Sequence, residues 1–345
     1  SIEAKLLEFA NDLSFEKAGK LAHENMQFSK QTVKNKLEKF GEWEDKKPKE
    51  LKKKKKIKYL YIDADEDHIS LQTGKNKINK LIYVYEGKVR ENKNRNYLLN
   101  KHIFASVKKS PEDLWLDVLD YIYANYDMDY IEKIYIQGDG ANWIKTGVKW
   151  IDKSVHVIDM FHLNKGIMKL VGGNLKEGKG YELKKFVYSK DKVGFLKLSK
   201  EILAEEKDDI RYRKKEKALG YVKNQWKGID EFVEHRENRK LGCSAEGHVS
   251  HVLASRMSSR PVGWSIEGLE NITKLRILKA NGGTVKDIEN ILEKENKKLA
   301  LEWKCNLKNI KRIKKKSGEM LDNLPVLKNG ETNGTFWAIK SLSVS

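Results

Sequence analysis

This 345-residue chain has only two cysteines, Cys243 and Cys305, and only four prolines. Two cysteines make no disulfide framework and cannot by themselves close a zinc site, so a reducing cytoplasm fits. No apolar run approaches the roughly twenty residues that a membrane-spanning helix needs. The start lacks the charged, apolar and small-residue pattern of a secretory leader. It begins at Ser1, not Met, which fits a native N-terminus that extends further. Acidic side chains are in deficit: 50 Asp and Glu stand against 69 Lys and Arg, for a formal net charge of +19. An excess of that size favours a polyanionic partner, usually nucleic acid. The cations are also bunched, in Lys46 to Lys58 and again in Lys304 to Lys316. Neither block has the clean apolar face of a membrane-surface helix. Lys53 and Lys54, in the first block, are therefore expected to hold a DNA backbone.

What is present is organised around Ile131 to Lys165. Ile134 to Ile136 and Val155 to Ile158 are short apolar runs that read as buried strands. Each is followed by an acid, Asp139 or Asp159. Between them Trp143, Ile144, Val148 and Ile151 fall at helical spacing, giving a strand–helix–strand unit. Chemistry in such units gathers at the carboxyl ends of parallel strands. Gly138 and Gly140 flank Asp139 and leave its surroundings open to a metal ion or a phosphate.

Residues 1–45 read as helices, with Ser14 capping Phe15 to His23 and Ser29 capping Lys30 to Phe40. The pair has the outline of a helix-turn-helix, with Lys30, Gln31, Lys34 and Asn35 on the exposed face of its second helix. The same outline serves equally for packing or dimerisation. A basic linker, 46–57, follows. Lys58 to Asp65, Leu81 to Tyr85 and His102 to Val107 are strand-like and suggest an antiparallel meander. Pro111 to Tyr126 reads as a helix with Pro in its first turn and acids early.

The expected fold class is α/β: a ribonuclease-H-like mixed sheet core in two parts, 58–171 and 242–280, interrupted by an α-helical insertion at 172–241. Region 281–345 reads as helical and basic. In the last core part Ser244 can cap a helix carrying Glu246 in its first turn, with Val249, Val252 and Leu253 buried.

Three carboxylates stand out: Asp63 or Asp65 on the first strand, Asp139 after the fourth, and Glu246 at a helix start. Hard Mg²⁺ ions, or Mn²⁺ in their place, take oxygen ligands, and a pair of them clamps the attacking and leaving oxygens of a phosphoryl transfer. Such acids come from separate elements and can lie far apart in sequence. Glu246, His248 and His251 do not have the His-Glu-x-x-His order of a zinc protease, and no nucleophile-elbow G-x-S-x-G is present. Arg256 and Arg260 suit phosphate contact by their chemistry or surface ion pairing equally well. Trp143 and Trp264 read as core, with stacking on a flipped or terminal base as the alternative for Trp264.

YIDADEDHISLQ, GDGANWIKTG, DMFHLNK and SAEGHVSHVLASRMSSRPVGWS occur in that order. Together they resemble the bacterial insertion-sequence transposases of the Lre group, relatives of the Mutator-like DDE transposases. The resemblance runs from Tyr59 to Trp264. It implies a ribonuclease-H-like core, Mg²⁺ dependence, and cleavage and strand transfer on double-stranded DNA at the ends of a mobile element. It also implies a homodimer on DNA. Asp65 then matches the first acid, with Asp63 in reserve, while Asp139 and Glu246 match the second and third. Asp159 and His162 match the acid-x-x-His motif, which implies that His162 stands beside the catalytic site. Two rival readings are an inactive DNA-binding derivative and a ribonuclease-H-like nuclease without strand transfer.

Overall fold

Strands in this chain form where β-branched and aromatic residues alternate with polar ones. The computed structural model describes residues 1–42, 53–92, 95–237, 242–243, 247, 249–259, 262–294, 297 and 301. Its strands are β1 (Tyr59–Ser70), β2 (Asn76–Tyr85), β3 (Gly87–Asn92), β4 (Arg95–Leu99), β5 (His102–Ser106), β6 (Lys133–Gly138) and β7 (Ser154–Ile158). Five of them make one mixed sheet in the order β5-β2-β1-β6-β7. β1 pairs antiparallel with β2, and β2 with β5; β6 joins β1 in parallel and β7 joins β6 in parallel. The expected meander is therefore present. It is interrupted by a separate β3–β4 hairpin that the sequence patterning had not suggested.

The two-residue pleat gives the sheet two different faces. Leu60, Ile62 and Ala64 of β1 and Ile134 and Ile136 of β6 point into one core. There they meet Leu114, Trp115, Val118 and Ile122 of α4 (Pro111–Asn125). Each such side chain contributes roughly 1.5–3 kcal/mol by leaving water. The other face is aromatic and polar: Tyr61 stacks on Tyr85 and on Tyr135, each at 5.5 Å between ring centres.

The single helix expected between β6 and β7 is two short pieces, α5 (Asn142–Lys145) and α6 (Gly147–Trp150). At the break the Thr146 hydroxyl donates to the Trp143 carbonyl at 2.7 Å. A side chain that bonds its own backbone competes with the regular helix there.

After β7 come α7 (Met160–Val171), α8 (Gly178–Tyr188), α9 (Lys192–Ala204), α10 (Asp209–Asn224) and α11 (Trp226–Glu234). They share a core of Leu163, Ile167, Phe195, Val222, Trp226 and Ile229, which also takes in Ile158 of β7. α7 ends at Gly172, whose φ of 69° is the left-handed cap that glycine adopts without strain. The helical layer thus starts with α7, ahead of the residue where the insertion was expected to begin.

At the N-terminus α1 (Ile2–Asp12), α2 (Phe15–Leu21) and α3 (Lys30–Gly41) enclose Leu6, Ala10, Ala18, Ala22 and Val33. Ser14 and Ser29 cap α2 and α3 as expected, accepting from Lys17 and Thr32. α3 lies on α12 (Ile266–Ala280), where the Lys274 ammonium donates to the Gly41 carbonyl at 2.7 Å. Val249 to Ala254 winds as a π-helix, with Val249, Val252 and Leu253 buried. Residues 1–285 form one compact unit and 286–345 a second. Within the second, 286–294 are helical and bury Ile288, Ile291 and Leu292. Among the described residues no helix is long and apolar enough to cross a membrane.

Candidate active site

The parallel pairing of β1 with β6 sets Asp63 opposite Gln137. The next residues on that face are Asp65 in β1 and Asp139, one residue beyond the end of β6. Asp159 follows β7 and caps α7, its Oδ1 accepting from the Phe161 amide at 2.9 Å. Its Oδ2 lies 2.8 Å from Nδ1 of His162, one helical turn on. Facing a carboxylate, Nδ1 carries the proton, and Nε2 is the nitrogen that titrates. The Asp159 hydrogen bond raises the His162 pKa above 6.5, against burial, and the charges of Asp159, Asp65 and Asp139 add to the rise. Asp65 and Asp139 therefore share one electrostatic neighbourhood with the Asp159–His162 pair. Those are the sequence-expected site residues that the fold brings together.

The loop carrying Asp139 is fixed from several sides. Asp139 Oδ1 accepts from the Ala141 amide at 2.9 Å, closing a tight turn. Tyr221 of α10 donates its hydroxyl proton to the Asp139 carbonyl at 2.8 Å, and Gln225, just past the end of α10, donates to the Gly140 carbonyl at 3.2 Å. The flanking glycines are packing requirements more than openings. A Cβ on Gly138 would stand 2.7 Å from the Ala64 carbonyl oxygen. One on Gly140, where φ is +84°, would stand 2.2 Å from Gln225 Oε1.

Asp63, the reserve first acid, is elsewhere. It is fully buried, and its carboxylate accepts from the Tyr83 hydroxyl (2.9 Å), the Tyr85 hydroxyl (3.0 Å) and Gln137 Nε2 (2.8 Å). Their own burial, and after it the charge of Asp63, hold both phenols well above their usual pKa. A carboxylate so enclosed is an internal anchor and not an open metal ligand. The same network reaches the segment before Glu246: Gln137 Oε1 accepts from the Gly242 amide at 2.7 Å, and Lys88 donates to the Gly242 carbonyl. Glu246 and Arg260 lie outside the described residues.

Arg256, expected at a phosphate or in a surface ion pair, packs on aromatic rings. Its guanidinium lies 5.4 Å from the Phe15 ring and 4.9 Å from the Trp264 ring, and it donates to the Ala10 carbonyl at 3.2 Å. It is spent on joining α1 and α2 to the C-terminal part of the fold. Trp264 is 5% exposed and belongs to the interior, as expected. On α3, Lys30, Gln31 and Asn35 are exposed and Lys34 is half-buried; Gln31 bonds Asn35 and Lys34 pairs with Glu38. Lys53 and Lys54 are exposed in irregular backbone.

Among the described residues no group of three or more His, Cys, Asp or Glu side chains is arranged to hold a metal ion. Asp65 and Asp139 offer two hard oxygen donors on neighbouring strands, a donor set that suits Mg²⁺ or Mn²⁺ and not zinc. Sequence reasoning missed Tyr221 of α10 and Gln225, just past its end. A tyrosine on a charged helix and a glutamine at its cap carry no local sign that they reach a loop more than eighty residues away.

The profile of UPF0236, an uncharacterised protein family, matches residues 1–295. UPF0236 proteins TTE0402 and TTE2489 of Caldanaerobacter subterraneus subsp. tengcongensis are each 40% identical to the chain over 347 residues. The alignments cover 99% of this chain and 68% and 72% of those proteins. A further relative at 40% identity, from the same bacterium, carries a name that joins eleven TTE numbers.

Proposed function

This chain belongs to UPF0236, and we propose that it is a DDE-type transposase with a ribonuclease-H-like core, cutting and joining DNA at the ends of a mobile element. The observation that carries the reading is the convergence of Asp65 and Asp139, from adjacent parallel strands, on the Asp159–His162 pair. The sheet supports it. Numbered by sequence within the sheet, its strands run 3-2-1-4-5, antiparallel for the first three and parallel for the last two, a mixed sheet that joins the expected meander to the expected strand–helix–strand unit. Many paralogues in one bacterium are also what an element that copies or moves itself would leave.

In this reading Asp65 and Asp139, together with Glu246, hold Mg²⁺. The ion supplies charge neutralisation at the oxygens of the reacting phosphate. The chain's own part is placement. β1 and β6 set the spacing of two acids, and Tyr221 and Gln225 keep the Asp139 loop from relaxing. His162 has Nδ1 committed to Asp159, and that hydrogen bond with the carboxylates around it favours the protonated ring. The positively charged surface supplies sequence-independent affinity for the backbone. A homodimer would bring two element ends together.

Asp139→Asn tests the reading. We expect cleavage of an end-containing DNA duplex with Mg²⁺ to fall by at least about a thousandfold, while salt-dependent binding stays within about threefold. Loss of binding and of cooperative unfolding together would make Asp139 a folding residue and remove the catalytic assignment.

A further inference from the structure

Beside Asp139 and His162 lies a cleft of about 680 Å³ between α7 and α10. Its walls carry Lys165 and Lys169, four residues apart on α7, and Lys214 and Lys217, three apart on α10. All four are exposed. None is in an ion pair among the described residues, whereas Lys179, Lys190 and Lys215 of the same helical layer pair with Glu205, Glu234 and Glu206. Four like charges kept together, with Asp139 the one acid among the residues that line the cleft, cost free energy unless a further anion joins them.

The floor is built by close helix approach. A Cβ on Gly166 would stand 3.0 Å from the Tyr221 ring, so only glycine lets α7 and α10 meet without displacing that ring. Ala218 completes the floor. Tyr221 thus does two things at once: it lines the cleft and holds the Asp139 carbonyl. Residues four apart on a helix are separated by about 6 Å along its axis, on the scale of one or two phosphate spacings of a nucleic-acid strand.

We propose that this cleft is the channel for the phosphodiester backbone of the strand being cut, with Lys165, Lys169, Lys214 and Lys217 as its phosphate contacts. The proposal rests on the transposase reading, because it takes the Asp65–Asp139 end as the place to which the strand is led. It assigns the helical layer a substrate-binding task.

The test is fluorescence-anisotropy binding of the full chain to labelled duplex DNA, single-stranded DNA and RNA of equal length, across a salt series. The variant is Lys214→Glu with Lys217→Glu. The control is Lys197→Glu with Lys200→Glu, exposed lysines of α9 that make the same change in net charge. Melting curves confirm that each is folded, and a Lys214→Gln, Lys217→Gln pair repeats the test without new negative charge. We expect the cleft variant to bind at least about tenfold more weakly at 0.1 M salt, with a log–log salt slope lower by roughly two, while the control stays within about threefold. The probe that loses most identifies the strand type. Equal loss in cleft and control variants, or no loss in either, overturns the cleft assignment while leaving the transposase reading intact. A wild-type protein that binds none of the three probes removes both.

Discussion

At the residue scale the site is a charge balance. His162 stands among three carboxylates, one bonded to it and two acting through space. Its folded pKa is raised above 6.5, so the favourable interaction is fully present below the unfolded value and fades as pH rises through the folded one. An NMR titration of the metal-free protein should place the His162 midpoint above 6.5. Saturating Mg²⁺ should bring it down, because a cation at Asp65 and Asp139 cancels the field that raised it. A midpoint that does not respond to Mg²⁺ would mean that no ion binds beside these acids. Asp63 makes the opposite point. Two aspartates in one strand, on one face, read alike in sequence, and burial alone separates an anchor from a candidate ligand.

Among the elements, α12 does more than its plain helical pattern suggests. Its Arg276 is 8% exposed and donates to the Val252 and His251 carbonyls of the π-helix. It also reaches the Asn11 carbonyl and Asp12 carboxylate at the end of α1. One guanidinium therefore ties three segments together with the five-donor fork that only arginine has. Arg276→Ala would leave several buried carbonyls without a partner, at a cost of about 3 kcal/mol in urea unfolding. Arg276→Lys should recover less than half of that loss. A cost below about 1 kcal/mol would show that water replaces the guanidinium without penalty. Glu270 on the same helix works similarly, its carboxylate accepting from the Val107 and Lys108 amides and the Ser106 hydroxyl just past β5. Through these two side chains α12 joins the N-terminal helices, the π-helix and the sheet edge.

For the whole molecule, acid is the expected weakness. His102 is packed face to face on Tyr121 at 4.3 Å, and His156, half-buried, lies beside Gly228. Burial pushes each pKa down to about 4. The unfolded chain then binds more protons than the folded one between about pH 6.5 and 4, so stability falls as pH drops through that window. The limit is about 3 kcal/mol for each histidine. Urea midpoints measured from pH 7 to pH 4 should fall steadily, and the fall should be smaller in His102→Phe, which keeps the ring and removes the titrating group. An unchanged slope in that variant would mean that His102 titrates alike in the folded and the unfolded chain.

The short-range features were decided by the sequence itself. Ser14 and Ser29 cap their helices because a hydroxyl before a helical run has an amide within reach. β1, β2, β5, β6, β7 and α4 follow from alternation, β-branching and a first-turn proline, all local. The expectation that Asp65, Asp139 and His162 share a site came from motif order, and the fold places them in one electrostatic neighbourhood. Only tertiary structure separated Asp63 from Asp65, packed Arg256 beside two rings, and brought Tyr221 and Gln225 to the Asp139 loop. The β3–β4 hairpin and the lysine cleft were equally out of reach. Burial and convergence depend on which distant surfaces meet. Pattern along a chain records the periodicity of one element, not the identity of the neighbour it packs against.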